Sequence, residues 1–183
     1  ALRAFPVAGE MGRELAGAEL EAEDRRYLER RALTLFVVEG RTVEALLPAA
    51  RRLAEEREDP VANDIFVRFE TELLQQASGG GLDEVRRGLD AYRIAVEENP
   101  RLTGRFASFE RQLVMVLRQT VTNAEMRGDG ATAVAAAAIG LEVSGEDAVF
   151  SAAISRLSRA TGESKIWEGD GKGMIWVAEQ DFI

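Results

Sequence analysis

Histidine and cysteine are both absent from the 183-residue chain, and this restricts its chemistry before any motif is read. Without an imidazole there is no ordinary general base near neutral pH and no usual transition-metal ligand. Without a thiol there is neither a thiolate nucleophile nor a disulfide framework. Chemistry would have to rest on carboxylates, Lys, Tyr, Ser or Thr, or on a bound Mg²⁺ or Ca²⁺. The 32 acids include no D-x-D-x-D-G calcium loop, and no pair among them stands apart as suited to glycoside hydrolysis. Gly169-Asp170-Gly171-Lys172-Gly173 invites comparison with a phosphate loop, but it lacks the Lys-Ser/Thr ending and the strand–loop–helix setting. The expectation is a non-enzymatic binding protein with no cofactor and no metal.

Charge narrows what it could bind. The formal net charge is −9, and it is unevenly spread. Residues 1–100 carry 21 acids against 14 bases, and residues 128–183 carry 9 against 4. Only residues 101–127 are basic, with 5 bases against 2 acids. An acidic chain is repelled by polyphosphate at long range, so nucleic-acid binding needs a local basic face. Arg101, Arg105, Arg111 and Arg118 could form such a stripe, or could pair with acids on neighbouring helices. No apolar run reaches the roughly 20 residues that span a bilayer, and Ala1–Pro6 lacks the pattern of a signal peptide. A cytoplasmic protein is expected.

The elements that must position any site are mostly helical. Residues 8–31 are rich in Ala, Glu, Leu and Arg and run without a turn signal into Leu33–Val38, an apolar run that fits a buried strand or, as the missing turn signal favours, a helical continuation ended by Gly40. Thr42 is a plausible N-cap for a helix carrying Leu46, Leu47, Ala50 and Leu53 on one face. Asp59-Pro60 opens the next helix, and Gly79-Gly80-Gly81 closes it. A further helix spans about 83–98 and stops at Asn99-Pro100. Another, with Thr103 as its candidate N-cap, runs to about Met126, giving roughly five helices on short connections, as in an antiparallel bundle. The Glu/Arg-rich helix 10–31, with Leu15, Leu20, Tyr27 and Leu28, could pair with a second copy to give a homodimer. Gly88–Pro100 resembles the second helix of a tetratricopeptide repeat. No second copy follows at a spacing of about 34 residues, so a repeat array is not expected.

The last third changes character. After Gly128-Asp129-Gly130 the pattern predicts a short alanine-built helix over Ala131–Ile139 and a turn at Gly140-Leu141. Ser144, three residues before Asp147, then looks like the start of a helix over about 145–160 that buries Val149, Phe150, Ala153, Ile154 and Leu157. Ser164–Trp167 and Met174–Ala178 are β-prone runs flanking a glycine-rich turn at 168–173. This order, over roughly residues 106–180, resembles a winged helix-turn-helix. The fold expected is therefore mainly α: a helical bundle over residues 1–128, then a winged-helix-like module over 129–183. That module would pack on helix 104–126 and carry a C-terminal β-hairpin.

The resemblance implies that helix 145–160 is a recognition helix and 168–173 a wing tip. Its outward face would present Ser151, Ser155, Arg156, Ser158 and Arg159 to a major groove, where Arg pairs bidentately with guanine and Ser accepts several partners. Lys165 and Lys172 would reach flanking phosphates. Glu146 and Asp147 in the first turn, with Glu168 and Asp170 in the wing, oppose that use. Many winged helices bind protein partners instead, and an acidic module suits that role. Two expectations follow: a DNA-binding transcriptional regulator, or a protein–protein interaction adaptor or assembly factor using the same surface.

Overall fold

The computed structural model describes residues 22–160. Seven α-helices are found among them: α1 (Ala22–Val38), α2 (Thr42–Glu55), α3 (Pro60–Gly79), α4 (Leu82–Glu98), α5 (Thr103–Met126), α6 (Gly130–Ser144) and α7 (Ala148–Ala160). A 3-10 turn, Pro100–Leu102, leads into α5. Residues 33–38 are helical, and α4 and α5 fall where their apolar periodicity placed them.

The expected fold class needs correction beyond "mainly α". Helices account for 88% of the described residues, and no strand occurs among them. A winged-helix module requires a β-hairpin, and the described chain supplies none. The runs Ser164–Trp167 and Met174–Ala178, with the turn between them, lie outside the described residues.

The second correction lies in α6. Gly140-Leu141 is not a turn, and the helix runs on to Ser144. Gly140 is buried, and a Cβ there would overlap the ring of Phe150 from α7. Its missing side chain lets two helices approach rather than letting the backbone reverse. The reversal comes at Gly145, whose φ of 75° is left-handed. Ser144 caps nothing forward: its Oγ donates to Gly140 O at 2.7 Å. Asp147 is the cap of α7, its Oδ1 accepting from the backbone N–H of Val149 at 2.9 Å and of Phe150 at 3.4 Å.

Two further caps differ from expectation. Thr42 is the first helical residue of α2 and is buried, its Oγ1 donating to Glu72 Oε2 at 2.6 Å. Asn99, not Thr103, caps the turn into α5, accepting from Arg101 N at 3.2 Å.

The chain divides into two compact units. One comprises residues through Gln75 with Asp83–Phe109, the other Gln76–Leu82 with the chain from Glu110 onward. In the first, Tyr92 is fully buried in an aromatic cluster, its ring centroid 4.7 Å from Phe106, 5.4 Å from Phe66, 5.5 Å from Phe109 and 5.8 Å from Phe69. In the second, α6 packs on α7 through Gly140 and Phe150. Thr120 Oγ1 donates to Ala77 O at 2.8 Å, satisfying a buried carbonyl.

The same local plan recurs along the chain, at spacings other than the roughly 34 residues of a tetratricopeptide array. A helix ends at a left-handed glycine, a second helix follows, and an Asx residue then caps the next one. The glycines are Gly40, Gly80 and Gly128; the capping residues are Asp59, Asn99 and Asp147. Both series are spaced by 40 and then 48 residues. Core positions follow the same offsets: Leu33, Leu73 and Val121 are buried, as are Ala45, Val85 and Ala133, and Ala62, Leu102 and Phe150. The helical hairpin is the repeated unit, and the wider second spacing falls between Asn99 and Gly128, where a 3-10 turn precedes an α5 of 24 residues against 20 in α3.

Candidate functional site

The helix expected to read a ligand, now α7, buries Phe150, Ala153 and Ile154 as anticipated, whereas Val149 is 46% exposed rather than inward. Ser151 and Ser155 are exposed. Arg156 is exposed too, but its Nη2 donates to Glu125 Oε1 of α5 at 2.8 Å. The helix continues through Ser158 and Arg159; Lys165 and Lys172 lie outside the described residues. The structure therefore brings Ser151, Ser155 and Arg156 onto one exposed helix with its arginine already engaged by an acid.

Three polar clusters hold the hairpins together. In the first, Asp59 is fully buried and Arg52 nearly so. Asp59 Oδ1 accepts from Val61 N and Ala62 N at 3.0 Å each, while Oδ2 accepts from Arg30 Nε at 2.9 Å and Arg52 Nε at 3.0 Å. Burial pushes this carboxyl up, yet the Ala62 N–H and the two guanidinium groups outweigh it and hold it below the usual carboxylate range. The second cluster repeats this arrangement: Arg118 Nη2 donates to Asp147 Oδ2 and lowers its pKa, with burial opposing and the Val149 and Phe150 N–H groups adding to the effect.

The third cluster is centred on Glu70. Its Oε1 accepts from Tyr92 Oη at 2.6 Å and from Arg105 Nε at 2.7 Å, and its Oε2 accepts from Arg105 Nη2 at 3.1 Å. Arg105 also lies 5.0 Å over the Phe66 ring. Burial, then the Glu70 carboxylate, pushes the Tyr92 hydroxyl far above its ordinary value. A phenol locked in its neutral form with its proton committed to a carboxylate is a structural group and no acid–base catalyst. Among the described residues no group of His, Cys, Asp or Glu could hold a metal ion.

No family model matches the chain, and no curated protein and no solved structure does so either. The site must be read from this molecule alone.

What remains is surface. Tyr27, Val67 and Met115 are 62%, 54% and 62% exposed. Each stands thirteen residues before a left-handed glycine, at Gly40, Gly80 and Gly128, so they occupy one position of the repeated hairpin. The sequence offered Tyr27 only as part of a helix that could pair with a second copy, and it did not single out Val67 or Met115, because an apolar residue on a helix is assigned to the core by default. The signal that finds them is the shared offset from the turn glycines. No helix among the described residues is long and apolar enough to cross a membrane.

Proposed function

We propose that this chain is a non-enzymatic protein-interaction adaptor built of helical hairpin repeats, the first helix of each hairpin offering an exposed apolar position to a polypeptide partner. The observation that carries this is the recurrence of an exposed apolar side chain at one position of three hairpins, Tyr27, Val67 and Met115. Single exposed apolar residues are ordinary. Recurrence at an equivalent position is different, because none of the three contributes to its own hairpin's core. Repeat proteins bind through the surface side chains of equivalent helices.

DNA reading draws less support. The described outer face of α7 offers two serines and an arginine that already pairs with Glu125. The Asp147 carboxylate occupies the helix N-terminus, and the net charge of −9 opposes approach to polyphosphate. The cytoplasmic setting expected from a cysteine-free chain belongs to the same proposal.

The test is selection of random displayed peptides on the immobilised full chain, with binding then measured by fluorescence anisotropy beside random duplex DNA at low and physiological salt. Selected peptides should bind with Kd on the order of micromolar. Val67→Glu should weaken them at least about tenfold with an unchanged melting temperature. A selection that returns no binder, or duplex binding that falls steeply with salt, would sink the adaptor.

A further inference from the structure

The C-terminal part of α5 carries an exposed face without acids. From Arg111 its exposed residues are Arg111, Gln112, Met115, Arg118, Gln119, Thr122 and Met126, and Arg127 is exposed in the turn that follows. No acid stands among them, in a chain of net charge −9. The exposed residues of α4 show the contrast: Asp83, Glu84, Asp90, Glu97 and Glu98 outnumber Arg86 and Arg87. Both acids of this part of α5, Glu110 and Glu125, are only partly exposed, and Glu125 is committed to Arg156.

The apolar members of this face are its two methionines, 62% and 74% exposed. They lie eleven residues apart. Eleven residues are three turns plus about 20°, so Met115 and Met126 stand almost in line on the helix, about 16 Å apart along its axis. Methionine is unbranched and polarizable and adapts to whatever apolar side chain meets it, which is why it recurs on binding surfaces. Arg111 stands one turn before Met115 and Arg118 one turn after it, while Arg127 follows Met126 in the turn after the helix. Arg118 keeps 49% of its side chain exposed while holding Asp147.

From this we infer that the α5 face from Arg111 to Arg127 docks an acidic amphipathic helix of a protein partner. The partner's apolar residues would lie on Met115 and Met126, and its carboxylates would meet the half-exposed Arg118 and the exposed Arg127. Charge complementarity selects the occupant: an acid-free arginine face on an acidic protein attracts carboxylates and repels basic segments. The in-line methionines require a matching apolar stripe, which duplex DNA does not offer and an amphipathic helix does. The inference rests on the adaptor reading and names the chemistry of its partner.

The probe is a labelled amphipathic peptide of about five helical turns, with leucines at i, i+4, i+7 and i+11 and glutamates on its other face, titrated with the full chain by anisotropy. A matched peptide with lysine in place of glutamate, and random duplex DNA, are titrated alongside. The glutamate peptide should bind with Kd on the order of tens of micromolar, weakening with salt, and the lysine peptide should not bind. Met115→Glu with Met126→Glu should lower the affinity at least about tenfold, and the neutral pair Met115→Gln with Met126→Gln should also lower it. Circular dichroism and the melting temperature report folding, and side chains this exposed are dispensable to it.

Binding of the glutamate peptide that neither methionine pair changes would overturn the inference, as would equal binding of the lysine peptide. Duplex binding lost in the methionine variants would reassign the face to nucleic acid. Self-association in sedimentation, abolished by those variants, would reassign it to a second copy of this chain. If display selection yields binders indifferent to the α5 variants and the glutamate peptide does not bind, this inference fails while the adaptor stands. If neither selection nor the glutamate peptide shows binding, both fail.

Discussion

Arg118 holds Asp147 across the same 29 residues that separate Arg30 from Asp59. In both pairs the arginine lies on the first helix of a hairpin, and the aspartate caps the helix that follows that hairpin. The repeat between them places Glu70 and Asn99 at these positions. The cap is neutral where the residue ten before the turn glycine is acidic, and anionic where it is basic. Glu70 serves Tyr92 and Arg105 instead, while the Asn99 amide donates to Ala50 O at 3.0 Å. Three hairpins therefore share one capping position but satisfy it with matched electrostatics.

Asp59→Ala should destabilise the protein far more than Asp147→Ala. Removing Asp59 strips a cap and leaves the Arg52 guanidinium, 2% exposed, without its innermost partner. A broken buried pair costs about 3–5 kcal/mol. Arg118 is half-exposed, so Asp147→Ala should cost mainly the cap, about 1 kcal/mol. Urea unfolding of both variants measures the difference, and equal losses would refute the contrast.

Stability should fall on acidification below about pH 5. Asp59 and Asp147 both have carboxyl pKa values below the ordinary aspartate value in the folded chain. As pH drops through the ordinary value the unfolded chain takes up protons that the folded chain still refuses, which favours unfolding. Their contribution is present above the unfolded value and is lost as pH falls through the folded one. Melting temperatures recorded from neutral pH to pH 3 should show this slope, and Asp59→Asn should flatten it. An unchanged slope in that variant would assign the loss to other carboxylates.

Gly140→Ala and Gly104→Ala should have opposite signs. At Gly140 a methyl would overlap the Phe150 ring in a closed helix contact, and overpacking of this kind costs about 1–3 kcal/mol. At Gly104, near the start of α5, nothing lies within 4 Å, and alanine should stabilise by about 0.5 kcal/mol through the unfolded chain. Thermal denaturation decides both.

Tyr92→Phe should cost about 1–2 kcal/mol, leaving the Glu70 oxygen short of a donor while the ring cluster survives. Tyr92→Ala should cost about 3–5 kcal/mol, because it empties the centre of four ring contacts. Similar losses in the two would mean that the hydroxyl, not the packing, dominates this hub.

Much of the helical layout was legible from residue types. The dipeptide Asp59-Pro60 supplies a side-chain acceptor followed by a ring with φ already set for a helix, and α3 begins there, while Asn99-Pro100 marks the end of α4. Gly40 ends α1, and the apolar spacing of α4 and α5 locates them, because amphipathic periodicity is a local property. Composition likewise excluded histidine and thiol chemistry. Tertiary structure decided the rest. Gly140 and Gly145 are the same residue in a sequence, yet one admits a neighbouring ring and the other turns the chain, and only the position of Phe150 tells them apart. The spacing from Val149 to Leu157 could not say that Val149 faces solvent, because that depends on what packs against α7. The repeat stayed hidden because its spacing changes from 40 to 48 residues and its core positions accept Ala, Leu, Val or Phe. What recurs is a backbone conformation and a capping role, and these become visible only once the chain is folded.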